Sequence, residues 1–128
     1  MKKGCDSMRE AKKILIVEDE TLTAMMLEEY VMDRGYDSAG LCATGEEAVQ
    51  TALEEKPDLV FMDFRLGGPM DGIAAAAIIE AQLGIPVVMM SGYAERAILE
   101  RVTAYRPRTI LQKPLSDADI DAVLAILD

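Results

Sequence analysis

The 128-residue chain contains no histidine and no tryptophan. Without an imidazole there is no His-based general base, no Ser-His-Asp triad, no zinc site with imidazole ligands and no phosphohistidine relay inside the chain. Cysteine is scarce as well: Cys5 and Cys42 lie too far apart for a Cys-x-x-Cys redox pair or a zinc ribbon and read as unpaired cytoplasmic thiols. Long apolar runs are missing. The longest, Ile73 to Ile79, falls far short of the ~20 residues that cross a bilayer, so neither a membrane span nor a membrane partner is expected. Lys2, Lys3, Arg9, Lys12 and Lys13 make the start basic, but no apolar stretch with a cleavage site follows. That excludes a secretory signal, and residues 1–12 read as a flexible leader before a domain over 13–128. Positive charge is the scarcer sign overall, 13 Lys and Arg against 23 Asp and Glu. A net charge of −10 repels phosphate backbones and excludes nucleic acid as a direct partner.

What is present is the composition of one globular domain, 51% hydrophobic and 28% charged, with carboxylates left to carry any chemistry. Five short β-prone runs recur: Ile14 to Val17, Tyr36 to Leu41, Leu59 to Met62, Ile85 to Met90, and Thr109 to Leu111. The first, third and fourth lack polar alternation and read as wholly buried strands. Helical spacing falls between them, at Leu22, Met25, Met26 and Tyr30; at Ala48, Ala52 and Leu53; at Ile73, Ala74, Ala77, Ile78 and Ala81; and at Ala94, Ala97, Ile98 and Val102. A last helix carries Ile120, Val123, Leu124 and Leu127. Thr44 with Glu47 and Ser116 with Asp119 signal helix starts. Gly35, Gly84, Pro57 and Pro86 punctuate helix-to-strand connections. The alternation predicts an α/β fold, a doubly wound five-stranded parallel sheet with right-handed crossovers.

In such a sheet ligands collect beyond the carboxyl ends of the strands. Glu18, Asp19 and Glu20 follow the first predicted strand, Asp63 the third, Ser91 the fourth, and Lys113 with Pro114 the fifth. The second ends blandly at Cys42 and Ala43. Glu20 reads as a cap on the following helix. Carboxylates converging from two strands suit a hard ion such as Mg2+. With a lysine and a hydroxyl, they form a workable set for phosphoryl transfer to a carboxylate.

The segments Ile-Leu-Ile-Val-Glu-Asp-Glu at 14–20, Leu-Val-Phe-Met-Asp at 59–63, Met-Asp-Gly at 70–72, Met-Ser-Gly at 90–92 and Lys-Pro-Leu at 113–115 together resemble the receiver domain of two-component response regulators. The resemblance runs from Lys12 to Leu127. It implies a flavodoxin-like (βα)5 fold with strand order 2-1-3-4-5, and Asp63 as acceptor of a phosphoryl group from the phosphohistidine of a partner kinase or histidine phosphotransfer protein. Glu18, Asp19, Asp63 and the backbone carbonyl of Arg65 would hold Mg2+. Ser91 and Lys113 would engage phosphoryl oxygens, the Lys113–Pro114 bond would be cis, and a downstream protein would read the result.

The sequence departs from the family pattern in three places. The loop from Asp63 to Gly72 is one residue longer than the commonest form, and Gly67 stands where a proline is usual. Ile110 occupies the position usually held by an aromatic switch, while Tyr93 lies two residues after Ser91, placed to supply a mobile ring instead.

A stand-alone phosphoacceptor that switches partner binding is the leading reading, since 128 residues leave no room for an output domain. The other readings are the receiver module of a hybrid sensor kinase, against which Met1 and the leader weigh, a metal-dependent phosphatase, and a static binding module. Arg65 stands where the phosphatase would place its second aspartate, and the acidic and lysine positions that a static module would lack are present. The nine methionines, Met25, Met26, Met62, Met89 and Met90 among them, are expected to fill gaps in the core rather than form a partner surface.

Overall fold

A computed structural model describes residues 11–92 and 109–127. The elements run β1 (Lys13–Val17), α1 (Thr21–Asp33), β2 (Asp37–Cys42), α2 (Gly45–Glu55), β3 (Leu59–Asp63), α3 (Gly72–Leu83), β4 (Val87–Ser91), β5 (Thr109–Gln112) and α4 (Asp117–Leu124), with a final 3-10 turn at Ala125–Leu127. The strands form one parallel sheet in the order β2-β1-β3-β4-β5. The fold and strand order are those expected. The predicted helix around Ala94–Val102 and most of the 1–12 leader lie outside the described residues.

Successive strand residues point to opposite faces, and the core divides accordingly. Ile14, Ile16, Leu59, Phe61, Val88 and Met90 pack under α1 and α4, against Ala24, Leu27, Val31, Ile120, Val123 and Leu124. Leu15, Val17, Val60, Met62, Val87 and Met89 pack under α2 and α3, against Ala48, Ala52, Ala75, Ala76 and Ile79. β3 and β4 are buried throughout and β1 in all but its first residue, because helices cover both faces.

Two helices turn a different face inward from the one their apolar spacing suggested. On α1 the buried residues are Ala24, Leu27 and Val31, whereas Leu22, Met25 and Met26 are 69%, 51% and 64% exposed. On α3, Gly72, Ala75, Ala76 and Ile79 are buried and Ala74 and Ala81 are exposed. Both helices are apolar around most of their circumference, so periodicity singles out no face. Small residues decide it by letting the helix backbone approach the sheet closely. Met62, Met89 and Met90 do fill the core as expected, while Met25 and Met26 do not. On α2, Ala48 and Ala52 are buried and Leu53 is half exposed.

The caps follow the sequence signals. Ser116 Oγ accepts from Asp119 N (3.0 Å) and Asp119 Oδ2 from Ser116 N (3.4 Å), a complete capping box. Thr44 Oγ1 accepts from Glu47 N at 3.1 Å, but Glu47 Oε1 reaches back one residue further, to Ala43 N at 2.9 Å. Asp71 starts α3 by accepting from Ala74 N at 2.9 Å. Each such cap contributes about 1 kcal/mol. Gly84 ends α3 at φ 68, and Gly35 turns the chain out of α1 at φ 94, both in the left-handed region where glycine carries no steric penalty.

Candidate functional site

The parallel sheet brings the carboxyl ends of β1, β3, β4 and β5 to one rim, and the polar residues that follow those strands meet there. Asp63, the last residue of β3, is 3% exposed, and Glu18, directly after β1, is 4% exposed. Carboxylate oxygens of Glu18, Asp19 and Asp63 all lie within 4.8 Å of one another, and of the three only Asp19 is exposed. Lys113, beyond β5, points its Nζ at Glu18 Oε1 (3.0 Å) and Asp63 Oδ2 (3.3 Å). These groups, with Glu20, Arg65 and Gly92, line an open cavity of about 470 Å³.

Main-chain bonds hold the cluster. Glu18 N donates to Cys42 O (2.9 Å), Phe64 N to Met90 O (2.9 Å) and Lys113 N to Ser91 O (2.9 Å), each extending the ladder one step past a strand end. The Lys113–Pro114 peptide is cis, as the resemblance implied. Ser91 Oγ is fully buried and makes no hydrogen bond among the described residues. Such a group carries a desolvation cost of about 1–3 kcal/mol until an acceptor arrives.

The electrostatics of the pair are asymmetric. Burial, and then the negative charge of Glu18, push the Asp63 carboxyl up to about 7, with Lys113 opposing. Burial disfavours ionised Glu18 as well. The Glu20 N–H, 3.1 Å from Glu18 Oε2, together with Lys113, nevertheless holds Glu18 below the usual carboxylate range. Lys113 is raised: burial works against its charge, and the Glu18 hydrogen bond and the two carboxylates outweigh it. Without a further cation, Asp63 is the member of the pair that keeps a proton near neutrality. Three clustered carboxylates short of positive charge are the donor set for a hard divalent cation.

A family model described as Response regulator receiver domain matches residues 14–125. The chain belongs to that family. Among relatives, the "Transcriptional regulatory protein PdtaR" of Mycobacterium tuberculosis is 37% identical over 109 residues, covering 85% of this chain and 53% of that protein. The "Phyllosphere-induced regulator PhyR" of Methylorubrum extorquens is 35% identical over 118 residues, covering 90% and 43%. The chain thus spans about half the length of these curated relatives. The solution structure of the receiver domain of PhyR from Erythrobacter litoralis superposes with a TM-score of 0.80 at 33% identity, over 91% of this chain and 88% of that one. Receiver domains are signalling domains of two-component systems, and no helix among the described residues is long and apolar enough to cross a membrane.

The receiver domain brings Glu18, Asp19, Asp63 and Lys113 together, with Ser91 at the end of the neighbouring strand β4 and Arg65 on the cavity wall. Tyr93 lies outside the described residues. Ile110 is half-buried against the α2–α3 side of the core. Glu20 stands at the N-cap of α1, as expected, with its carbonyl accepting from Ala24 N at 3.0 Å, but its side chain makes no bond to the helix backbone. Its Oε1 accepts from the Thr23 hydroxyl at 2.7 Å, and its backbone N–H serves Glu18. One contributor left little trace in the sequence: the carbonyl of Cys42, at the bland end of β2, anchors Glu18. Gly72, which closes the Met-Asp-Gly segment, leaves no room for a side chain beside Asp63.

Proposed function

We propose that this receiver accepts a phosphoryl group on Asp63 from the phosphohistidine of a partner kinase or phosphotransfer protein, with Mg2+, and thereby switches the binding of a downstream protein. The observation that carries this reading is the buried Asp63 carboxylate lying between two further carboxylates and the Lys113 ammonium at the open rim of the sheet. Glu18, Asp19, Asp63 and the Arg65 carbonyl would hold the ion, which supplies positive charge against the transferring phosphoryl oxygens. Lys113 engages one oxygen of Asp63 and leaves the other to attack phosphorus as the P–N bond to the donor imidazole breaks. The imidazole leaves with the bonding pair and takes up a proton. The new acylphosphate adds nearly two negative charges. Lys113 is drawn toward them, and the Ser91 hydroxyl, which has no partner among the described residues, gains an acceptor and pulls on the chain after β4. Intact mass after incubation with acetyl phosphate, with and without Mg2+, tests the reading; no Mg2+-dependent gain of one phosphoryl group would refute it.

Lys113 holds charge in place rather than attacking. Lys113→Ala should therefore still become phosphorylated, at a rate within about tenfold of wild type, while losing phospho-dependent partner binding. Failure of the folded variant to take up phosphate would reverse that division of labour.

The protein donor needs a docking surface, and the exposed α1 residues Leu22, Met25 and Met26 offer one beside a mainly apolar groove of about 340 Å³. Met26, Leu27, Tyr30, Leu115 and Ile120 line this groove, which also touches Glu18 and Lys113. Unbranched thioethers suit such a surface because they adapt to a partner's shape. Met26→Glu should slow transfer from a protein donor by about tenfold or more while leaving transfer from acetyl phosphate unchanged. Equal loss with both donors would place the effect in the site rather than at the docking face.

A further inference from the structure

Gly72, the first residue of α3, sits against the acceptor's own main chain. A Cβ built there would lie 1.9 Å from the carbonyl oxygen of Asp63, 2.9 Å from its carbonyl carbon and 3.1 Å from Cα of Phe64. Gly72 is not among the positive-φ glycines, so conformational freedom does not explain it. Only the missing side chain does. From this position Gly72 N donates to Phe64 O at 3.1 Å, while Phe64 N donates to Met90 O at 2.9 Å. Phe64 is thus held by β4 through its N–H and by the opening turn of α3 through its carbonyl, while Gly72 lies directly against the Asp63 carbonyl. Asp71 fixes that turn by capping it through Ala74 N.

We propose that Gly72 is a positioning residue for phosphoryl acceptance: by having no side chain it lets α3 close on the backbone of Asp63, and so sets where that carboxylate stands relative to Glu18, Asp19 and Lys113. The proposal rests on Asp63 being the acceptor. Backbone atoms cannot swing aside as a flexible side chain can, so any larger residue displaces the Asp63 peptide itself. A displacement of a few tenths of an ångström is felt at a site where reacting atoms must be aligned.

Gly45 provides the control. It opens α2, and a Cβ there would lie 2.8 Å from Met70 O, a backbone clash in the loop between β3 and α3 rather than against the main chain of Asp63 and Phe64. Gly72→Ala and Gly45→Ala are compared with wild type for thermal stability, for the initial rate of phosphorylation by acetyl phosphate at saturating Mg2+ per folded molecule, and for the Mg2+ concentration giving half the thermal shift. Both should lose stability, but only Gly72→Ala should phosphorylate about tenfold or more slowly and need more Mg2+. A folded Gly72→Ala with wild-type values in both assays, or an equal loss in Gly45→Ala, overturns the proposal. Should Gly72→Ala not fold, Asp71→Ala and Asp71→Ser decide. Loosening the turn should slow acceptance and the serine cap should restore it, whereas wild-type acceptance in Asp71→Ala overturns the proposal. A wild type that binds Mg2+ but takes up no phosphoryl group would instead refute the acceptor role. In that case the Mg2+ midpoints of the same variants still judge the clamp: a Gly72→Ala midpoint raised above both wild type and Gly45→Ala supports it, and an unchanged one overturns it.

Discussion

Asp63→Asn should abolish phosphorylation and, in the same protein, raise metal-free stability at alkaline pH. The first effect follows from removing the nucleophilic oxygen, since an amide does not form the acylphosphate. The second follows from the position of Asp63, buried beside Glu18, where its carboxyl is pushed up to about 7 from an ordinary 3.8. Between those two values the folded protein retains a proton that the unfolded chain has released. Stability therefore falls as pH rises through that window and levels off above it. The amide of the variant carries no charge to bury. Asp63→Asn should match wild type near pH 4 and exceed it by a few kcal/mol at pH 8, read from urea unfolding followed by circular dichroism. Glu18 works in the opposite direction. Its lowered pKa contributes stability that is present above its ordinary value and is lost on acidification. An alkaline stability advantage that is absent from Asp63→Asn would show that the buried pair is not strained, and phosphate mapped to another residue would remove Asp63 as acceptor.

Mg2+ should reverse the alkaline penalty. The three carboxylates within 4.8 Å repel one another, with Lys113 shared between Glu18 and Asp63, and a divalent ion that binds the folded state alone stabilises by mass action. At tenfold its dissociation constant the gain is about 1.4 kcal/mol. Thermal unfolding at fixed ionic strength should therefore shift upward with millimolar MgCl2, more at pH 8 than at pH 5, where the proton on Asp63 competes with the ion. Asp19 allows a clean test because it is the exposed member of the cluster. Asp19→Asn should leave metal-free stability nearly unchanged, within about 0.5 kcal/mol, and blunt the Mg2+ response. A wild type indifferent to Mg2+, or an Asp19→Asn variant that responds fully, would remove Asp19 from the site.

The alternation of strands with helices, the order in which Glu18, Asp19, Asp63, Ser91 and Lys113 arrive, and their common placement at or just past strand ends were all legible along the chain. Buried parallel strands must be continuous apolar runs, and residues that close them stand out as polar interruptions. The caps at Thr44 and Ser116 were legible for the same reason: they depend on neighbours three residues away. Other features depend on distances that no local pattern encodes. α1 and α3 are apolar nearly all round, so which side faces the sheet was settled by close packing at Ala24, Gly72, Ala75 and Ala76, leaving Met25 and Met26 on the surface. Glu20 follows a strand like its neighbours, yet its N–H rather than its carboxylate serves the cluster, because the chain turns into α1 there. The opposite pKa shifts of Glu18 and Asp63 come from which carboxylate receives the Glu20 N–H and how Lys113 is shared, and the closeness of Gly72 to Asp63 comes from α3 folding back across β3. Sequence spacing carried the identity of the groups, and packing in three dimensions assigned their charges, orientation and exposure, because desolvation and Coulomb energies depend on separations of a few ångströms between residues far apart in the chain.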